Sequence, residues 1–261
     1  MSAAQVKRER WASSPATLHY PYQKVFPMSY LERYHNGNHE QVWNELLSLG
    51  SAVHQPQYFD QAQAVASETM RRVRRNCERI VNRLQSAGYR FGVYLDGSRG
   101  YISDGPLIPP SQQSQIDIAT LENQVGPIPL SLLAFWREVG AVDLVGMHPA
   151  WPSLLDPLVV YPPEAVLVDL EAWQDHDASE DFEGSLAPDI LHKDNISGGE
   201  PYSVQLPDSS ADFLLRYEQH ELYFVPYLRV AILQWGGFPG LDQNRQPFPF
   251  LADLLRHLEP F

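Results

Sequence analysis

A Gly-Pro-Ile-Pro elbow between two helix-forming stretches constrains this chain more than any other feature. Residues 118–158 read IATLENQVGPIPLSLLAFWREVGAVDLVGMHPAWPSLLDPL. The first helix, expected over Ile116–Gln124, has to stop at Gly126, because prolines at 127 and 129 remove donors that a helix ladder needs. The second is expected over Leu130–Val139, with Gly140 as its stop. A short strand follows, then Trp151 and Asp156-Pro157. This order points to a folded binding module and contains no enzyme's set of parts.

Periodicity places the remaining elements. Residues 1–27 read as a tail broken by prolines, and residues 28–87 as helices. The strongest helix begins at Asp60 and ends at Gly88. Its apolar face is Ala66, Met70, Val73, Cys77, Ile80, Val81 and Leu84, spaced by three and four. Arg72, Arg75, Arg79 and Arg83 run along its other side, flanked by Arg71 and Arg74. No aromatic residues interleave with them for base stacking, so a solvated or internally docked face is expected before an RNA-binding one. Tyr89 to Ser103 alternates like a hairpin with its turn at Asp96-Gly97. Residues 104–114 read as a Pro-rich linker. Beyond it, short strands are expected at Val142–Val145, Leu158–Tyr161, Val166–Leu170, Ile190–His192, Tyr202–Leu206 and Phe213–Tyr217. Helices are expected at Phe224–Trp235, stopped by Gly236-Gly237, and at Phe248–Leu258. Helices, then strands, then helices give an α+β fold: a central, mostly antiparallel sheet flanked by helices and preceded by a small helical domain. The domain reading is a tail (1–27), a helical domain with hairpin and linker (28–110), and an α+β domain (111–261).

Charge supports that division. The net charge is −13. Residues 1–110 carry 13 Lys/Arg against 9 Asp/Glu, and residues 111–261 carry 6 against 23, which is +4 and −17. An acidic second half repels phosphate backbones, so direct nucleic-acid binding is not expected there, while a basic protein is attracted. One cysteine, Cys77, forbids an internal disulfide and suits a reducing compartment. No apolar run reaches the roughly 18 residues of a membrane span, and no secretory signal follows the first residues. A cytoplasmic location is therefore expected.

Chemistry-bearing motifs are sparse. Neither GxxxxGK(S/T) nor GxGxxG occurs, and there is no GxSxG nucleophile elbow. His35 and His39 have the spacing of a metal pair, but Asn36-Gly37-Asn38 breaks the helix that would align them. The acidic run Asp175–Glu183 resembles the start of a calcium loop, with Glu180 where glycine is needed and Ala187 at the last ligand position. No metal, cofactor or catalytic residue is expected.

Glu122, Gly126-Pro127-Ile128-Pro129, Leu133, Phe135-Trp136, Gly140, Gly146, Trp151 and Asp156-Pro157-Leu158 together resemble the opening of the SUKH superfamily, named from yeast cell-wall-synthesis regulators and Syd-like proteins. Asn195 to Tyr202, Phe224 to Arg229 and Trp235 to Gly240 are similar to segments of its longer members. The resemblance spans about residues 115–258, with Ile128 where leucine is usual. It implies the α+β fold above and non-catalytic binding, as in immunity proteins that neutralise toxins, often nucleases. The expected partner is then a basic toxin such as a nuclease, gripped by Trp151, Asp156, Asp169, Glu171, Trp173, Asp175 and Asp177, on a loop over 169–183 and beside it. The alternatives are a cytoplasmic regulator or scaffold of the cell-wall-assembly type, and an enzyme of unrecognised kind.

Overall fold

The computed structural model describes residues 28–94, 105–175, 181–243 and 248–261. The tail 1–27, the Asp96-Gly97 turn with its second arm, and Asp177 fall outside them. The first helical layer is α1 (Tyr30–His35), α2 (His39–Ser48) and the long α3 (Pro56–Ala87), with a 3-10 turn at Gly50–His54 between the last two. Ser29 and Glu32 close a capping box on α1. Helix α3 starts four residues before the expected Asp60, because Pro56 already has the φ of a first helical turn. It ends as expected, with Gly88 in the left-handed region at φ 88°. Its apolar stripe is buried from Ala62 to Leu84 and lies against the helix after the elbow.

Two short strands follow, β1 (Arg90–Phe91) and β2 (Leu107–Ile108), then α4 (Gln112–Val125) and α5 (Leu130–Glu138) on either side of the elbow. Strand β3 (Ala141–Asp143) and β4 (Gly146–Met147) come next, then β5 (Val159–Val160), helix α6 (Pro163–Asp175), and the longer strands β6 (Phe182–Ala187) and β7 (Tyr202–Leu206). Helix α7 (Phe224–Arg229) runs on into a π turn over Val230–Gln234, and α8 (Leu251–Leu255) closes the order. All strand pairs are antiparallel: β1 with β4, β2–β3–β5, and β6 with β7. The Tyr161 amide donates to Leu186 O at 2.7 Å and joins the second group to the third. The fold is α+β, with these small antiparallel sheets flanked by helices.

Four local expectations are corrected. Val166–Leu170 is part of α6, not a strand: Val166 and Leu170, four apart, are buried, while Val168 between them is 60% exposed. Ile190–His192 leads into a 3-10 turn, because Asp189 accepts the Leu191 and His192 amides and curls the chain. Phe213–Tyr217 makes only isolated bridges, Ser203 with Arg216 and Leu214 with Tyr223. Of the expected linker 104–114, the described residues 105–114 are not a spacer either. They hold β2, paired with β3, and the Ser111 capping box of α4. Gly140 makes that pairing possible: at φ 91°, an added Cβ would sit 2.0 Å from Ile108 O.

The apolar core runs without a break across the expected boundary at 110–111. Tyr34, Trp43 and Met70 belong to the same cluster as Phe135, Trp136 and Phe224. The arginine row on α3 is docked. Arg75 and Arg79 each reach Glu259 at 2.7 Å, Arg72 donates to Pro260 O and Arg83 to Leu254 O. Buried Asn76 exchanges two hydrogen bonds of 2.8 Å with the Glu259 backbone. Arg71 and Arg74 reach Glu138 at the end of α5.

Candidate functional site

One cavity stands out, with a volume of about 760 Å³. Ile108 of β2, Val142 and Asp143 of β3, Val160 of β5 and the adjoining Tyr161 form one side. Asp169 of α6 and Ser185 of β6 close an end, and residues 188–197 cover the rest. Each polar group has a structural reason for its place. Asp143 ends β3, and its Oδ1 accepts the Val145 amide at 2.8 Å, which turns the chain. Asp169 reaches from α6 to accept the Ser185 amide of β6 at 2.7 Å. Asp189 accepts the amides of Leu191 and His192 and also holds the His192 ring through Nδ1. Gly199 lets the chain pass over it: a Cβ there would lie 2.5 Å from Asp189 Cγ, and its φ is 79°.

The electrostatics are lopsided. Asp143, Asp169 and Asp189 line the cavity, and Lys193 is the cation among its described lining residues apart from His192. The Lys193 ammonium is already committed. Its side chain is fully buried, bonds Asp156 and lies 4.4 Å from the centre of the Tyr202 ring. Tyr202 Oη donates to the other Asp156 oxygen at 3.1 Å, so that buried pair is satisfied on both sides. Burial raises the Asp143 carboxyl to about 6, against the pull of the Val145 amide and of Lys193. Burial would also raise Asp189, but the His192 ring and the two amides outweigh it and hold the carboxyl below its ordinary value. The Tyr161 hydroxyl is raised by burial and then by Asp143. At neutral pH the cavity is acid, with apolar walls.

The expected anchors divide. Trp151 and Asp156 are interior, not rim. Trp151 is 7% exposed and packs against Tyr89, Phe238, Phe248 and Phe250, because its large ring fills the space between β4 and the C-terminal segment. Asp156 is fully buried by its bond to Lys193. Trp173 is partly buried against Phe182, 5.7 Å between ring centres. Residues 169–175 form the end of α6 and no loop. Asp169 turns into the cavity, while Glu171 and Asp175 are exposed. The structure therefore brings Asp169 to the cavity and leaves Glu171 and Asp175, two and six residues further along α6, on other faces of the helix and outside the lining. Asp143, Asp189, His192 and Lys193 were not singled out by sequence. An acid inside an apolar strand and the Asp189–His192 spacing of three were the available signals.

The alternative chemistries find little in the way of ligands. His35 lies 3.9 Å from Glu68 and His39 bonds Arg72, and no group of three His, Cys, Asp or Glu placed to hold a metal occurs among the described residues. Cys77 is buried in the α3 core, which pushes its thiol up to about 12 and leaves it a poor nucleophile. No helix among the described residues is long and apolar enough to cross a membrane. Compared with family models, curated proteins and solved structures, the chain gives no match.

Proposed function

We propose that this chain is a non-enzymatic, cytoplasmic binding module of the SUKH type, which holds a basic protein partner in the manner of an immunity protein. The observation that carries this reading is the acid cavity: three carboxylates in its lining, against one lysine already neutralised by Asp156. Such a face attracts a cationic protein over a distance and rejects nucleic-acid backbones. The succession of α4, elbow, α5 and β3 and the position of Gly140 are compatible with the resemblance and support it.

The test is co-expression of the intact chain with the product of its neighbouring gene. The expected outcome is a complex that survives gel filtration and weakens steeply as salt rises. A complex indifferent to salt, or none at all, would count against the reading.

One observation favours a second reading, an enzyme. The His192 ring is oriented by Asp189 at the cavity mouth, as a general base would be. Turnover of a small molecule that disappears in H192Q, with partner binding unchanged, would favour it.

A further inference from the structure

We propose that the cavity receives one cationic side chain of the protein partner, an arginine or a lysine, with Asp143 as its principal counter-ion. The inference rests on the reading that the chain binds a protein, and it names what that partner must present.

The hydrogen-bond bookkeeping selects the ligand. Asp189 is spent on two amides and the His192 ring. Asp143 and Asp169 each use one oxygen, on the Val145 and Ser185 amides. Neither has a second hydrogen bond or an ion pair among the described residues. A neutral apolar occupant would cut these oxygens off from water without replacing the lost partners, which is unfavourable. An anion would meet three carboxylates. A cation with several N–H donors satisfies the open oxygens and the charge together.

Shape agrees with this chemistry. At about 760 Å³ the cavity exceeds one side chain, leaving room for the residues that flank it. Ile108, Tyr161, Pro162 and Ile196 offer apolar wall to the aliphatic stem of an arginine or lysine, whose charged end then reaches the strand-end carboxylate. Lys193 cannot play the same part from within, because Asp156 and the Tyr202 ring hold it.

Titration calorimetry on the full chain tests this with three probes: an acetylated, amidated Gly-Arg-Gly, the same peptide with citrulline, and free agmatine. The expected result is binding of the arginine peptide, weakened about tenfold or more by citrulline and by D143N. Asparagine can still accept the Val145 amide, and D253N, an exposed position on α8 outside the cavity lining, should leave the affinity unchanged. Should D143N fail to fold, the arginine–citrulline pair on the unaltered chain still decides. Equal affinity for both peptides, no binding of either, or an unchanged D143N would overturn the proposal. Agmatine binding better than the peptide would also overturn it, by moving the ligand from a protein to a small molecule. If the neighbouring-gene product forms its complex while the peptides fail, side-chain capture falls and protein binding stands. If both fail, both fall.

Discussion

Lys193 and Asp156 show how much a single residue decides here. Both side chains are fully buried, and each is tolerable only because of the other. K193M should destabilise the fold by about 3–5 kcal/mol, since it strands a buried carboxylate. K193M combined with D156N should recover a large part of that loss, as urea unfolding would show. Asp212 gives a pH signature. It is buried, its carboxyl is pushed up to about 7 chiefly by burial, and it accepts the Val225 amide at 3.1 Å. Because the folded value lies above the unfolded one, its contribution is complete below about pH 4 and is lost as pH rises through 7. The melting temperature should fall between about pH 4 and 7, and D212N should flatten that slope. None of this was legible in sequence. Asp156 and Lys193 are 37 residues apart, and an acid destined for the core looks like any other acid in a chain with 32 of them.

At the scale of elements, periodicity carries the helices and fails on short strands. The α3 stripe and the elbow were readable because spacings of three and four repeat over many turns, and because prolines exclude alternatives. Helix α6 was missed because Val166 and Val168 favour strands locally, while the burial of Val166 and Leu170 on one face overrides that preference. Strands of two or three residues leave no period to detect. The cavity shares that difficulty, since its lining comes from β2, β3, β5, α6, β6 and the 188–197 segment, and among the described residues only Asp169 of the expected anchors belongs to it. Two variants test how the elements are joined. G140A should be severely destabilising, because its Cβ would overlap the Ile108 carbonyl that continues the β2–β3 pair, and circular dichroism melting would report it. E259Q should cost about 1 kcal/mol or less, because its bonds to Arg75 and Arg79 are partly solvent-exposed, and high salt should erase the difference.

For the whole molecule, the charge asymmetry between residues 1–110 and 111–261 suggested two units, yet the buried side chains of both belong to one cluster. Calorimetry should therefore show one cooperative transition, with the α3 region and the cavity region unfolding together; two resolved transitions would contradict the shared core. The opposite charges of the two stretches pair with each other at partly exposed contacts, as at Glu138 and Glu259 on the arginines of α3. The segment 254–260 thus acts as a cover over a cationic ridge. Clipping it off would open the core at Leu254, take the Glu259 carboxylate from Arg75 and Arg79 and strip Arg72 and Arg83 of carbonyl partners, so that a trimmed chain should cling to heparin more tightly than its intact parent.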